Sequence, residues 1–282
     1  MNAPLHRWAG SKRHLVERVA PACARYLAGT RGKLLSAFYG TGAIEQQVGS
    51  YDAPQVVAEA CDDLRILYEE FAREGGADRI HAACWELARR LDQAGHRKVE
   101  VYLNVRAHVP EEPAGRAGRF LFLVGCAYNG LWRVNASGGH NVPPDPARLA
   151  KWNVPAIVTL KAAALNARRL ELHADWQELG PRLRAGDLVI SDPPYADGFD
   201  AYTAGGFSRE ARQVLVASLA KARAMGVAVV AFDAPSVRGL YETAGFAVET
   251  SPRSGRISSK GTGRAPVDEL LITGGLEVGG AP

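Results

Sequence analysis

The sequence predicts an α/β protein in which a sheet is joined by crossover helices. Short apolar runs of strand length alternate with longer helical patterns along most of the 282 residues. Hydrophobic residues make up 47% and charged residues 23% of the chain, as in ordinary globular proteins, which excludes a disordered chain and a coiled coil. A chain of this length forms one large domain, or one domain with a sizeable insertion.

The predicted strands and helices alternate along both ends of the chain. Seven apolar runs predict strands, at 33–37, 55–60, 169–173, 188–191, 227–232, 246–249 and 269–273. Helical periodicity predicts helices at 12–26, 42–48, 63–73, 156–168, 209–224 and 236–244. The sheet should therefore have about seven strands.

The middle of the chain has a different pattern. Two further helices are predicted at 78–94 and 118–127, with no strand between them. The stretch 128–146 is rich in Gly, Asn and Pro and is typical of an irregular loop or hairpin. We therefore expect a helical insertion at 70–155, which interrupts an α/β domain made of 1–69 and 156–282.

Charge and composition limit the possible partners and compartments. The net charge is +4, which permits a polyanionic partner without requiring one. No apolar run reaches the roughly 18 residues of a membrane span, and the polar start does not resemble a signal peptide. The four cysteines lack metal-ligand spacing, so we expect buried thiols and no metal. These features favour a soluble cytoplasmic protein.

A glycine turn follows the first predicted strand, with the sequence Phe38-Tyr39-Gly40-Thr41-Gly42-Ala43. Glycines allow a sharp turn and a close approach of the backbone to a ligand, although a plain strand-to-helix turn has the same appearance. Glu59, followed by Ala60, ends the second strand, where a carboxylate can hold two ribose hydroxyls. A dinucleotide dehydrogenase would share both features, but Glu45 leaves its Gly-x-Gly-x-x-Gly pattern incomplete.

The segment Asp192-Pro193-Pro194-Tyr195 follows the strand at 188–191 and carries the most specific chemistry. The two prolines fix the chain and donate no backbone hydrogen bond. The Asp192 carboxylate and the Pro193 carbonyl are thereby presented as paired acceptors, and Tyr195 as a flat surface. Such a group suits the exocyclic nitrogen of a base taken out of a duplex.

With Trp8-Ala9-Gly10-Ser11-Lys12, these segments resemble the D12 class of DNA adenine-N6 methyltransferases, the Dam type, over nearly the whole chain. The same resemblance extends to 128–135, 141–143, 256–261 and 267–271, in the order of the family's α group. It implies a Rossmann-like class I methyltransferase sheet with an inserted helical DNA-recognition domain. It also implies transfer of the methyl group of S-adenosylmethionine to N6 of a flipped-out adenine.

The resemblance assigns roles to individual residues. The implied cofactor-binding residues are Trp8, Gly10, Lys12, Phe38, Gly40, Thr41, Gly42, Ala43, Glu59, Ala60, Asp175, Trp176 and Asp192. The implied catalytic residues are Asp192, Pro193, Pro194 and Tyr195. The implied DNA-binding residues are Arg7, Asn129, Leu131, Arg133, Asn135, Pro143, Lys260 and Arg264. Arg133 can read a guanine through O6 and N7, and Leu131, Arg133 and Pro143 match readers of GATC.

Three other functions stay open from the residues alone. The same chemistry could act on cytosine N4 or on adenine in RNA, and the chain could bind DNA without catalysis. We expect double-stranded DNA as the partner, no membrane, no metal, no obligate protein partner and a monomer. The protein would act in the cytoplasm of a bacterium, at the nucleoid, or be encoded by a phage. A restriction system, chromosome maintenance and a phage function are all compatible with the sequence.

Overall fold

The computed structural model describes residues 8, 10–48, 54–195, 207–253 and 267–279. These residues form two compact units. One unit is helical and contains the stretch 61–170 with Trp8, Gly10 and Ser11. The other unit contains the remaining described residues from Lys12 onwards and is built on a sheet.

The sheet has seven strands in the order β3-β2-β1-β4-β5-β7-β6. Their bounds are β1 Leu34–Ser36, β2 Gln55–Ala58, β3 Leu170–His173, β4 Leu188–Ser191, β5 Ala228–Asp233, β6 Ala247–Arg253 and β7 Val267–Gly274. β1 runs parallel to β2 and β4, and β4 runs parallel to β5, whereas β7 is antiparallel to both β5 and β6. The seven predicted strands and the predicted Rossmann-like class are confirmed.

Alternating strand residues place an apolar layer on each face of the sheet. Leu35 and Val189 lie in one layer with residues of α8 and α9, and Leu34 and Leu188 lie in the other with residues of α1. These helices span Val16–Thr30 (α1), Arg209–Ala224 (α8) and Arg238–Thr243 (α9), and a 3-10 turn at Arg13–Leu15 precedes α1. Burial of both faces explains why the central strands are continuous apolar runs in the sequence.

The order of the strands reverses between β1 and β4, which are neighbours in the sheet. Ligands bind such sheets in the crevice beyond the carboxyl ends of the strands at this switch point. The glycine turn directly follows β1, and Asp192 directly follows β4. Both sequence motifs therefore lie at the same edge of the sheet.

The predicted helix at 42–48 is wrong. Only a 3-10 turn at Glu45–Gln47 forms there. Gly40 and Gly42 have φ angles of 51° and 59°, which a right-handed helix does not permit. The Gly42 N–H also donates to the Tyr39 carbonyl at 2.8 Å, so this part of the chain forms a turn.

Six α-helices lie in the helical unit. They are α2 Asp62–Ala72, α3 Gly76–Ala94, α4 Lys98–Ala107, α5 Pro113–Cys126, α6 Pro146–Lys151 and α7 Ile157–Ala167. The rings of Tyr102 and Phe122 meet in its core, with centroids 6.1 Å apart. The sequence did not predict α4, whose valines weaken the helical signal, or the short α6. The predicted insertion 70–155 lies within this unit, and its role as a separate domain stays a prediction.

In the part of the chain that the structure describes, no helix combines the length and the apolar character needed to cross a bilayer.

Candidate active site

The glycine turn is held tightly between its neighbouring strands. Ala37 N–H donates to the Ile190 carbonyl at 2.9 Å, and Tyr39 N–H donates to the Ala58 carbonyl at 3.0 Å. A Cβ on Gly42 would lie 2.3 Å from the Tyr39 ring, so only glycine fits at this position. The Tyr39 side chain therefore packs directly against the backbone of the turn at Gly42.

Glu59 lies beside this turn, as its predicted role requires. Its carboxylate is buried, and Oε2 accepts a hydrogen bond from the Gly40 N–H at 2.8 Å. The Glu59 N–H donates to the His173 carbonyl at 3.0 Å, which ties the end of β2 to β3. Within the same turn, the Thr41 carbonyl accepts from Gln46 Nε2 at 2.8 Å, and Ala43 packs against the α1 side of the core. The carboxylate and the turn therefore form one rigid surface.

A small aromatic group forms next to the turn. The Phe38 ring lies 6.3 Å from the Trp176 ring and 5.4 Å from the Phe207 ring, measured between centroids. Asp175 is exposed and caps the following 3-10 helix, because its Oδ1 accepts from the Gln177 N–H at 3.0 Å. The Phe38 and Trp176 rings form an apolar surface beside the turn. The observed contact of the Asp175 carboxylate is a helix cap.

Asp192 is paired with Lys12, which lies 180 positions earlier in the chain. Lys12 Nζ lies 2.7 Å from Oδ1 and 2.8 Å from Oδ2 of Asp192. The Lys12 side chain is 5% exposed and that of Asp192 is 24% exposed. The ammonium group also lies over the Tyr195 ring, 4.9 Å from its centroid. Three of the predicted site residues therefore form one cluster at the end of β4.

Glu269 and His14 complete this cluster, and the sequence did not identify either as a site residue. Glu269 Oε2 accepts from the Tyr195 hydroxyl at 2.6 Å, and Oε1 accepts from His14 Nε2 at 2.5 Å. Lys12 Nζ lies 3.8 Å from Oε2. Burial raises the pKa of Glu269, but the bond from His14, the charge of Lys12 and the bond from Tyr195 outweigh it and lower the pKa to about 2. Glu269 is therefore a fully buried carboxylate that stays ionised.

A buried arginine holds the proline segment from the other side. Arg212 of α8 is 3% exposed and donates to the Pro194 carbonyl and to Asp233 Oδ2. The Tyr241 hydroxyl donates to the same Asp233 oxygen at 3.0 Å. The sequence analysis did not identify this arginine. Arg212 lies on the same face of the predicted helix as the apolar Leu215, three positions later, and this spacing could have indicated a buried charge.

A second unpredicted acid, Glu45, is buried just after the glycine turn. The Ser36 hydroxyl at the end of β1 donates to Glu45 Oε1 at 2.7 Å. Burial is the largest influence and raises the pKa of Glu45 to about 7, with the charge of Asp192 acting in the same direction and the Ser36 bond opposing it. This carboxyl therefore changes its charge near neutral pH, within the electrostatic range of Asp192.

In the helical unit, the stretch 128–146 contains antiparallel pairing, and its role as the DNA-reading hairpin stays a prediction. Isolated antiparallel bridges join Val134 to His140 and Ala127 to Pro144. Arg133 is exposed at the side of this hairpin, and its Nε donates to Asn141 Oδ1 at 2.6 Å. This contact holds the guanidinium group in place.

The other predicted DNA-binding residues of the hairpin differ in their surroundings. Asn135 Oδ1 accepts from the backbone N–H groups of Ser137 and Gly139 at 3.0 and 2.9 Å, so its observed role is to shape the tip. Pro143 is exposed and Leu131 is half-buried. Asn129 has a left-handed backbone, with φ of 55°.

Five further predicted site residues lie in the helical unit or outside the described residues. Trp8 belongs to the helical unit and packs on Phe120, with ring centroids 6.1 Å apart. Gly10 also belongs to that unit and has φ of 88°. The predicted DNA contacts Arg7, Lys260 and Arg264 lie outside the described residues. Among the described residues, no group of His, Cys, Asp and Glu side chains is arranged to hold a metal ion.

The sheet order, together with a glycine turn, an acidic strand end and an acidic proline segment at its switch point, defines a class I methyltransferase. The sequence model of the D12 class N6 adenine-specific DNA methyltransferase family matches residues 8–253. The chain therefore belongs to this family and is an adenine-specific DNA methyltransferase.

Named relatives agree with this assignment. The DNA adenine methylase of Escherichia coli K12 is 30% identical to this chain, over 96% of this chain and 94% of the relative. The DNA adenine methylase of Vibrio cholerae O395 is 29% identical, over 94% and 93%. The DNA N-6-adenine-methyltransferase of Escherichia phage P1 is 28% identical over 95% of this chain and 35% of the phage protein. The similarity thus spans both bacterial and phage proteins.

Proposed function

We propose that the protein transfers the methyl group of S-adenosylmethionine to N6 of an adenine that is flipped out of double-stranded DNA, within the sequence GATC. The observation that carries the catalytic part of this proposal is the cluster at the end of β4. There, the Asp192 carboxylate lies on a proline-stiffened segment, beside the Tyr195 ring, and holds a cation through both of its oxygens. The carboxylate that accepts hydrogen bonds from the Lys12 ammonium group can also accept a hydrogen bond from the amino group of an adenine.

The residues at the switch point fit the proposed cofactor. Gly40 carries no side chain and has φ of 51°, so a ligand could approach the backbone of the turn closely at this position. The Glu59 carboxylate is fixed by the Gly40 N–H and lies where ribose hydroxyls bind in nucleotide-binding sheets. The Phe38 and Trp176 rings supply an apolar surface for a flat base. Lys12, Thr41, Ala43, Ala60, Asp175 and Asp192 are proposed to complete the pocket. Roles of Trp8 and Gly10 in cofactor binding stay predictions from the sequence.

The proposed chemistry follows from the properties of the adenine amino group. Its lone pair is delocalised into the ring, so the nitrogen becomes a nucleophile only as it moves towards tetrahedral geometry. Asp192 and the Pro193 carbonyl would accept hydrogen bonds from its two N–H groups and stabilise the positive charge that grows on the nitrogen as the N–C bond forms and the S–C bond breaks. One of the two protons would be released after the transfer, which leaves a neutral product nitrogen. Preorganised groups of this kind typically contribute about 2.7–4 kcal/mol each. The cofactor supplies an electrophilic methyl group, and no metal is required.

The rest of the proline segment would hold the base in position. Tyr195 would stack on the flipped adenine and offset part of the few kcal/mol that unstacking costs. Arg212 fixes the Pro194 carbonyl and thereby limits the movement of the neighbouring Pro193 carbonyl. Alignment of the reacting atoms at about 3–3.5 Å depends on such rigidity.

The helical insertion 70–155 is proposed to be the target-recognition domain, with the hairpin at 128–146 as its reading element. Arg133 is exposed and held by Asn141, which suits a bidentate contact with a guanine in the major groove. Further proposed DNA contacts are Arg7, Asn129, Leu131, Asn135, Pro143, Lys260 and Arg264. We also propose that the protein acts in the cytoplasm as a monomer, without an obligate protein partner.

The test is a methyl-transfer assay with purified protein and isotopically labelled S-adenosylmethionine. Three substrates are compared: a duplex containing GATC, the same duplex with those four bases scrambled, and an RNA of matching sequence. Digestion to nucleosides and mass spectrometry then distinguish N6-methyladenine from N4-methylcytosine. The proposal predicts N6-methyladenine in the first duplex only. Equal labelling of the scrambled duplex would contradict GATC, and labelled cytosine or RNA would contradict the proposed acceptor.

A further inference from the structure

The cation in the candidate active site occupies the place that the proposed function gives to the substrate. Lys12 Nζ lies within 2.8 Å of both oxygens of Asp192 and over the Tyr195 ring. These are the acceptor and the stacking surface assigned above to the flipped adenine. In this arrangement, the amino group of the base can reach Asp192 only if the ammonium group moves away from it.

A second carboxylate lies next to the same ammonium group. Lys12 Nζ is 3.8 Å from Glu269 Oε2, against 2.7 Å from the nearer oxygen of Asp192. Glu269 stands on β7, in register with Ser251 of β6, and its side chain is fully buried. A short displacement of a flexible lysine side chain would exchange one carboxylate for the other.

The surroundings of Glu269 keep it ready to receive a cation. Its two oxygens accept from the Tyr195 hydroxyl and from His14 Nε2, and both donors orient the carboxylate. An ionised carboxylate without such contacts would be expensive to bury in a sheet. The bond to Tyr195 also fixes the far end of the ring on which the adenine would stack.

We propose that Glu269 is a positioning residue, which orients Tyr195 and takes over the Lys12 ammonium group when the adenine amino group binds to Asp192. This inference rests on the proposed function, because it takes Asp192 as the acceptor of the amino group. In the free protein, the Lys12 ammonium group occupies the position proposed for the adenine amino group. When the adenine binds, Lys12 moves to the buried carboxylate of Glu269. The charge of Lys12 is never left without a partner during the exchange.

The negative charge of Glu269 is the property to test. Glu269→Gln keeps the size and one of the two acceptor oxygens, and its amide NH2 can donate to the hydroxyl oxygen of Tyr195 in place of the lost acceptor. It removes the charge, so Lys12 should stay bound to Asp192. Glu269→Asp keeps the charge but shortens the side chain. If Glu269 acts through its charge, the aspartate variant should be the more active of the two. If its role is only packing and hydrogen bonding, the glutamine variant should be the more active one.

The experiment measures methylation of plasmid DNA prepared from a host without DNA methylation, with each purified variant. We expect Glu269→Gln to lower kcat by roughly tenfold or more, because a buried charge deprived of its partner typically costs more than one power of ten. KM for the plasmid should change little, since contacts with the DNA backbone are retained. Glu269→Asp should keep clearly more of the original kcat. Calorimetric titration with S-adenosylmethionine gives the fraction of each variant that is folded and binding.

Glu249→Gln is the matched control. It removes an exposed carboxylate of the adjacent strand β6 that is paired with Arg18 of α1, and it should leave kcat unchanged. Activity of Glu269→Gln equal to or above that of Glu269→Asp would overturn the inference about Glu269. Absence of methylation by the unsubstituted protein would instead overturn the proposed function, so the two failures are distinguishable.

Discussion

Lys12 and Asp192 form a nearly buried ion pair that joins the start of the sheet unit to the segment after β4. The ammonium nitrogen lies 2.7 and 2.8 Å from the two carboxylate oxygens. Such a pair is costly to desolvate and contributes little to stability by itself. Its place at the switch point of the sheet is better explained by function, because it holds the Asp192 carboxylate in one orientation.

Replacement of Asp192 by alanine should separate catalysis from cofactor binding. Loss of a preorganised acceptor of this kind typically costs about 10²–10³ in kcat, and loss of the Lys12 pairing adds to the effect. We therefore expect turnover to fall below detection in a methyl-transfer assay. Calorimetry should show an affinity for S-adenosylmethionine close to that of the original protein. Loss of cofactor binding would contradict the division of roles between Asp192 and the glycine turn.

Arg212 should be needed both for stability and for the geometry of the proline segment. Arg212→Met leaves Asp233 buried without its cation, which typically costs about 3–5 kcal/mol of folding free energy. Exchange of both partners, Arg212→Met with Asp233→Asn, should recover most of that stability. Because the Pro194 carbonyl still lacks its donor, kcat should stay low in the double variant. Urea denaturation and a methylation assay check the two parts, and full recovery of kcat would contradict the positioning role.

Glu45 should make the protein less stable as the pH rises towards neutrality. Its folded-state pKa is raised to about 7, so the unfolded chain loses this proton first, and the stability present below about pH 4.5 is lost as the pH rises through 7. Between pH 5 and pH 8 the loss amounts to about 2–3 kcal/mol. Glu45→Gln can still accept from Ser36 and should be free of this trend. Denaturation of both proteins at several pH values measures the difference, and parallel curves would refute the assignment.

His140 should give the opposite trend in the helical unit. Burial, and secondarily Arg119 and Arg106, lower the pKa of His140 to about 3. The stability present above the ordinary histidine pKa is therefore lost as the pH falls towards 3, because the unfolded chain binds a proton first. At pH 5 the loss is about 2 kcal/mol relative to pH 8. His140→Phe preserves the stacking on Trp132 and should abolish the loss, as pH-dependent denaturation would show.

Arg133 should determine the target sequence more than the rate. Loss of one bidentate contact with guanine typically costs about 1–3 kcal/mol of discrimination. We expect Arg133→Ala to methylate near-cognate sites almost as well as GATC on a duplex library. Asn141→Ala, which removes only the side-chain support of Arg133, should have a smaller effect in the same direction. An unchanged order of preferred sites in Arg133→Ala would refute its role as the base reader.

Local sequence signals predicted the strands and the main motifs well. The central strands are buried on both faces and are continuous apolar runs, and all seven strands form close to their predicted positions. The glycine turn and Glu59 met as expected, because both follow neighbouring parallel strands and the ends of such strands share one edge. The predicted helix at 42–48 does not form. Gly40 and Gly42 adopt left-handed backbone conformations, and these favour a turn although the apolar pattern is typical of a helix.

Long-range polar contacts were not predictable from the sequence. Arg212 meets Asp233 and Pro194, and Glu269 meets His14, which is 255 positions away. The residues next to a charged side chain in the sequence do not indicate which distant group will pair with it. Only the three-dimensional order of the strands, with β7 inserted between β5 and β6, brings Glu269 to the end of β4.

The most direct test of the account is a map of methylated adenines in plasmid DNA from a host that lacks DNA methylation. The host expresses either the original protein or Asp192→Ala, and sequencing detects N6-methyladenine at single bases. We expect methylated adenine in GATC with the original protein and none with the variant. Methylation that persists in Asp192→Ala, or an unmarked plasmid in cells that contain folded original protein, would contradict the proposed role of Asp192 or the proposed reaction.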